Sequence, residues 1–254
     1  MPNTDSSLII LRQVDSTNNY AMAMVHAGMA KHGNAWFSSH QTEGKGRRGK
    51  VWLTGEGQNI ALSVILNPKQ LDIIQPFRLS TAVALASYDF FSNYAGDETT
   101  IKWPNDIYWR DRKAGGVLIE NKFTGKDWNW AVAGIGVNIN QTKFDEILVN
   151  PVSLMQITGK NFDTAELAKE LHLLILKRTN ELITKSFEMI LAEYNRHLYK
   201  MQQTVWLKKD NTVFETIIRG VSPQGQLLTV DVNEKHFEFG EVEWLASPPS
   251  KAGF

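Results

Sequence analysis

The chain has 254 residues, 43% hydrophobic and 21% charged, with 27 Lys and Arg against 27 Asp and Glu and no cysteine. At about 150 residues per domain this is roughly one and a half to two domains, enough to bury a core without covalent staples. Zero formal net charge disfavours general nucleic-acid binding, and the lack of cysteine excludes disulfides, thiolate metal sites and cysteine nucleophiles. No apolar run approaches the roughly 20 residues of a membrane span. The polar start, Met-Pro-Asn-Thr-Asp, has neither the basic head nor the apolar stretch of a signal peptide, so a soluble cytoplasmic protein is expected.

In chain order, Leu8 to Leu11 is a strand candidate. Asp15-Ser16-Thr17-Asn18, an Ala- and Met-rich stretch and Gly28 then read as cap, helix and terminating glycine. A short strand is expected over Asn34 to His40, and a Gly-, Lys- and Arg-rich loop over Gln41 to Gly57. A buried strand follows over Asn59 to Leu66, and a long buried helix over Phe77 to Tyr94. Thr99 to Trp103, Ile107 to Trp109, Gly116 to Glu120 and Trp128 to Val137 read as strands, with turns at Asn105-Asp106 and Arg110-Asp111-Arg112. Helices are expected over Thr164 to Ile183 and Ser186 to Tyr199. Composition shifts near Gln202. Five short strands from Thr204 to Leu245, with turns at Lys209-Asp210-Asn211, Ser222 to Gly225 and Asn233-Glu234, suggest an SH3-like β-barrel. The expected plan is α+β: a mixed sheet with flanking helices over 1–202 and a small β unit over 203–254. About fourteen residues precede the first helix, too few for a helix-turn-helix.

Four segments have residue types suited to chemistry. Gln41 to Trp52 contains Gly44, Gly46 and Gly49 with Lys45, Arg47, Arg48 and Lys50. Glycines bring backbone N–H groups close to an anion, and the cations neutralise it; a solvated basic loop would read the same way. The spacing is not that of a Walker loop. Lys102-Trp103-Pro104-Asn105-Asp106 ends a strand in a polar turn, and Lys113-Ala114-Gly115-Gly116 sets a lysine beside two glycines where strand formation needs no cation. Such a lysine suits a fixed charge for an anionic transition state, or is a surface residue of a hairpin. Gly134 and Gly136 alternate in an apolar strand that ends in Asn138 and Asn140. Alternate glycines imply close approach by a ligand or another backbone, and asparagine can donate and accept as adenine recognition requires. Ser16-Thr17-Asn18 is a helix start that caps itself or presents polar groups to a ligand. His26, His32, His40, His172, His197 and His236 show no metal-binding spacing.

Together and in this order, Asp-Ser-Thr-Asn at 15–18, Gln-Thr-x-Gly-x-Gly-Arg-Arg-Gly at 41–49, Lys-Trp-Pro-Asn-Asp at 102–106, Lys-x-Gly-Gly at 113–116 and Gly-Ile-Gly-Val-Asn at 134–138 resemble the biotin–protein ligase family. The match runs over about residues 8 to 245 and looks like the short type, without the DNA-binding domain of members that double as repressors. The resemblance implies a fold like class II aminoacyl-tRNA synthetases. It implies a two-step reaction with biotin and ATP as substrates and Mg²⁺ as cofactor: biotin is activated to biotinyl-5′-adenylate, then passed to a lysine of a biotin carboxyl carrier domain of a biotin-dependent carboxylase. It makes Lys113 and Arg47 the catalytic pair. Biotin contacts are implied for Ser16, Thr17, Asn18, Gln41, Gly44, Lys45, Gly46, Arg47, Trp52, Lys113, Gly115 and Gly116, and ATP contacts for Arg48, Lys50, Asn105, Asp106, Lys113 and Asn138. Asp106 is the implied Mg²⁺ ligand. Lys45 departs from the usual arginine, keeping the charge but losing the forked donor geometry. No DNA or membrane partner is implied. Family members commonly dimerise sheet edge to sheet edge, so a homodimer is compatible. The competing readings are a lipoate–protein ligase or octanoyl transferase, a biotin-sensing regulator, and an inactive binding module.

Overall fold

The computed structural model describes residues 7–52, 54–71, 73–146 and 148–245. Its larger sheet has seven strands: β1 (Leu8–Leu11), β2 (Ala35–Ser38), β3 (Asn59–Leu66), β4 (Thr99–Lys102), β5 (Asp106–Trp109), β6 (Arg112–Thr124) and β7 (Asp127–Asn138). Their order is β1-β2-β3-β7-β6-β5-β4, with β1 parallel to β2 and every other pair antiparallel. All eight residues of β3 are buried, as its apolar run requires.

The helices α1 (Thr17–His26), α2 (Pro76–Ala95), α3 (Leu154–Thr158), α4 (Thr164–Thr184) and α5 (Phe187–Arg196) cover both faces of this sheet. The fully buried Leu79, Val83, Ala86 and Phe90 of α2 recur at helical spacing and join the main core with Leu62, Ile135 and Ala168. Proline opens α2, where its missing N–H costs nothing. Asp163 caps α4 by accepting from the Ala165 and Glu166 amides. Arg178 of α4 donates to Asp89 of α2 at 2.5 and 2.9 Å and to Glu193 of α5 at 2.7 and 3.1 Å, tying three helices through one forked group. On the opposite face, Ala21 and Val25 of α1 pack against Trp36, Ile65 and Val132.

Most predicted elements match. Strand β6 is longer than the expected Gly116 to Glu120, because it pairs with β7 through its polar end, from Asn121 to Thr124. The five residues of α3 are too few to show a period. Only its Ser153 cap and the left-handed Gly159 (φ 71°) mark it. Helix α5 ends at Arg196, short of Tyr199, because the chain peels away to pair with β4: Ile101 donates to the His197 carbonyl and Tyr199 to the Ile101 carbonyl, both at 2.8 Å.

Beyond it, β8 (Thr204–Lys209), β9 (Thr212–Val221), β10 (Leu227–Val230), β11 (Glu234–Phe237) and β12 (Glu243–Leu245) form a separate antiparallel sheet in the order β11-β10-β9-β8-β12. Among the described residues β11 and β12 are unpaired edges, so the expected barrel is an open sheet. Glu234, placed in a turn by its sequence, opens β11. The sheet is seated on α5, where Asn195 accepts from the Val221 amide and donates to its carbonyl, and on Trp103, whose indole N–H donates to the Gly225 carbonyl at 2.9 Å. Among the described residues no helix is long and apolar enough to cross a membrane.

At this junction the Lys102 ammonium lies 4.6, 5.4 and 5.2 Å from the ring centres of Tyr108, Tyr199 and Trp244. Burial pushes it down to about 8, with Asp106 opposing the shift. The unfolded chain, with an ordinary lysine value of 10.5, binds the extra proton between pH 8 and 10.5, so the Lys102 contribution to stability rises across that window. Thermal melts from pH 7 to 10 are expected to show the chain gaining on its Lys102→Met variant as pH rises. A pH-independent gap contradicts this.

Candidate active site

Strand pairing fixes the floor of the site. Ala61, Gly136, Gly116 and Asp106 stand opposite one another across β3, β7, β6 and β5. Side chains alternate between faces in a strand, so this row lies on the face away from α2, and three of its four members have little or no side chain. Ser63 and Gly134 form the next row, with Leu118. The glycines are required by what lies on them. A Cβ at Gly134 would meet Asn18 Oδ1 at 2.2 Å, and one at Gly136 would meet the Trp52 indole at 2.4 Å.

At one end, Thr17 and Asn18 begin α1. Gln41 Oε1 accepts from the Thr17 amide at 2.8 Å and from its hydroxyl at 3.0 Å, so a side chain from the loop satisfies a helix N-terminal donor. Ser16 occupies the cap position, but its side chain makes no capping bond. Asn18 Nδ2 donates to Glu120 at 2.8 Å, and Ser63 Oγ lies 2.8 Å from Thr17 Oγ1 and 2.6 Å from Asn18 Oδ1. Ser63, buried, and Glu120, partly exposed, complete this polar cluster and were missed in the sequence. A serine inside the apolar run of β3 was the signal for the first; nothing marked the second.

At the other end, Lys113 Nζ is 2.7 Å from Asp106 Oδ2, and both side chains are about a third exposed, at 34% and 29%. A Cβ on Gly116 would lie 3.0 Å from Asp106 Oδ1, so this glycine also makes room. The Lys113 backbone is clamped by Asn150 and Val152, at 2.9 Å in both directions. Asn138, on the same face as Gly136, donates to the Val152 carbonyl at 3.1 Å and to that of Lys113 at 3.4 Å. Asn105 is buried, with its amide donating to the Val117 carbonyl and its Oδ1 accepting from Arg47 Nη1 at 2.8 Å. Asn105 is thus engaged with Arg47. Gly115 points to the other face, where a Cβ would meet the Gly136 carbonyl at 2.7 Å; it serves strand packing.

The basic loop runs over this floor. Lys45 and Val51 bridge, Gly46 donates to the Lys50 carbonyl at 2.7 Å, and Trp52 to the Gly44 carbonyl at 2.8 Å. Gly44 is needed because a Cβ there would meet the Trp52 carbonyl at 2.4 Å. The Trp52 indole N–H is buried without a hydrogen-bond partner among the described residues, leaving a donor at the floor. Lys45 and Lys50 are exposed. The Arg48 side chain lies outside the described residues. A cleft of about 250 Å³ opens beside Trp52, between Gln41, Gly44 and Val51 on the loop and Gln141, Asp145 and Leu148. Among the described residues no three His, Cys, Asp or Glu side chains gather as a metal cage. Asp106 is a single carboxylate beside a lysine.

Residues 10–138 match the model of the biotin/lipoate A/B protein ligase family. The bifunctional ligase/repressor BirA of Escherichia coli is 31% identical over 231 residues, which is 87% of this chain and 68% of that protein. The biotin–[acetyl-CoA-carboxylase] ligase of Paracoccus denitrificans is 28% identical over 226 residues, 86% of this chain and 92% of that one. Among solved structures, the biotin protein ligase of Aquifex aeolicus in complex with biotin and ATP superposes with a TM-score of 0.79 at 27% identity, covering 95% of this chain and 99% of that chain. The chain belongs to the biotin/lipoate A/B protein ligase family.

Proposed function

We propose that this chain is a biotin–protein ligase. The observation that carries the reading is the bare floor of Gly116 and Gly136, which runs from the Thr17–Asn18–Ser63 cluster to Lys113 and Asp106. A ring with both amide donors and a carbonyl acceptor, such as the biotin ureido group, suits a buried cluster of hydroxyls and amides. The acyl chain then lies against the Trp52 indole, which itself rests on Gly136, and the carboxylate arrives at Lys113.

Activation joins two anions. A biotin carboxylate oxygen attacks the α-phosphorus of ATP and pyrophosphate leaves, giving biotinyl-5′-adenylate. A carrier lysine then attacks the acyl carbon and AMP leaves. Lys113 has three N–H donors, so it keeps Asp106 and still reaches the carboxylate and α-phosphate oxygens as charge builds there. Arg47 is proposed to hold the adenylate, with Lys45, Arg48 and Lys50 drawn in by the phosphates and Gly44 and Gly46 allowing the backbone to close. Ser16 and Gln41 support the ring end, Gly115 holds β6 close to β7, and Asn138 closes the adenine end of the floor. Asn105 acts through Arg47. A lone carboxylate suits Mg²⁺ carried by the triphosphate, with Asp106 as its protein ligand and neutralisation of phosphate charge as its contribution. The acceptor is proposed to be a biotin carboxyl carrier domain, the setting the cytoplasm, and 203–254 a small β unit beside a catalytic unit of 1–202.

Exchange of labelled pyrophosphate into ATP tests the first half-reaction. Biotin is expected to support it and lipoate is not; exchange with lipoate alone moves the chain to the other branch of its family. Lys113→Ala is expected to slow single-turnover adenylation about 10² to 10³-fold, the cost of removing one fixed group that stabilises developing charge. Biotin titration should change little. An unchanged single-turnover rate removes Lys113 from the chemistry.

A further inference from the structure

The Arg47 guanidinium carbon lies 3.8 Å from the centre of the Phe239 ring. Phe239 is not part of the larger sheet or its loops. It follows β11 in the C-terminal sheet, is 37% exposed, and meets Trp103 edge-on at 6.0 Å and 68°. Trp103 is in turn bonded to Gly225 of the same sheet.

A guanidinium has two kinds of surface. Its rim donates hydrogen bonds and its faces stack. Asn105 takes hold of the rim of Arg47 and Phe239 of a face, so two elements more than a hundred residues apart in sequence set both the position and the plane of the group. The restraint matters because the loop carries four cations in six residues, which repel one another until an anion gathers them. A ring contact fixes the plane without using a donor, so the rim stays directed toward a ligand.

We propose that Phe239 is a positioning residue for Arg47, through which the C-terminal sheet helps retain the activated acyl group. This rests on the proposed ligase reaction and names a residue in it that acts through another. Loss of the ring should loosen the loop and let adenylate escape, so that bystander lysines become labelled.

The full chain is incubated with biotin, ATP and a bystander protein, and bystander labelling is measured. Phe239→Leu keeps apolar bulk against Trp103, and Phe239→Met is a second ringless variant. Either is expected to raise labelling about two- to five-fold, the range of one partly exposed cation–π contact. Phe239→Tyr, which keeps the ring, is expected to match the parent. In an Arg47→Gly background, where labelling is already high, Phe239→Leu should add nothing. Amide hydrogen exchange of ligand-free protein should quicken at Gly46 and Trp52 in Phe239→Leu and stay unchanged along β3. A rise of the same size in both backgrounds, or none in either, overturns the proposal. If Arg47→Gly itself leaves labelling unchanged, the role of Arg47 falls and this proposal with it. If Arg47→Gly raises labelling and Phe239→Leu does not, only the role of Phe239 falls.

Discussion

The site depends on one steric constraint: a row across the middle of the larger sheet where side chains are nearly absent. Ala61, Gly136 and Gly116 lie side by side on three strands. On the other face of the same strands, Leu62, Ile135 and Val117 belong to the main core. One set of strands therefore does two jobs, separated by the two-residue period. Its buried face binds the sheet to α2, and its bare face admits the Trp52 indole. Adding a methyl at Gly136 would move Trp52, and one at Gly134 in the next row would move Asn18.

Around this row the charges are placed by separate elements. Lys113 is clamped by the backbone of Asn150 and Val152, Asp106 faces it from the neighbouring strand, and Arg47 comes from a loop that leans on Asn105 and on the C-terminal sheet. Rigid strands thus hold the groups assigned to the reacting atoms. The groups proposed to close over the ligand sit on a loop whose four cations repel one another. The division between Lys113, fixed within the sheet, and Arg47, held on its loop by Asn105 and Phe239, follows from where each lies in the fold.

Much of this was legible in the sequence. Long apolar periods revealed β3, α2 and α4 with ends within two residues of those observed. The alternation of Gly134 and Gly136 announced a close approach, and the structure identifies what approaches: Asn18 and Trp52. Partners distant in sequence carried no local signal. Glu120 beside Asn18, and Phe239 on Arg47, are contacts across about 100 and about 190 residues, set by topology and not by spacing. Asn105 looked like a turn residue with free polar groups, yet it is buried and engaged, because the strand register brings Val117 to it. Local patterning also suggested a barrel in the last forty residues, but whether a sheet closes depends on its edge strands meeting, and among the described residues β11 and β12 do not.

The most direct test of the account is a biotin titration, by calorimetry, of the chain and of its Gly136→Val variant. Gly136 is not in a left-handed conformation, so valine strains no backbone there, but its Cβ would stand 2.4 Å from the indole and Trp52 must give way. The account predicts saturable binding by the parent and binding weaker by about ten- to a hundredfold in the variant, the scale of one overpacked position, with the fold retained by circular dichroism. A folded variant that binds biotin as tightly as the parent would place the acyl chain elsewhere and contradict the central role of the bare row.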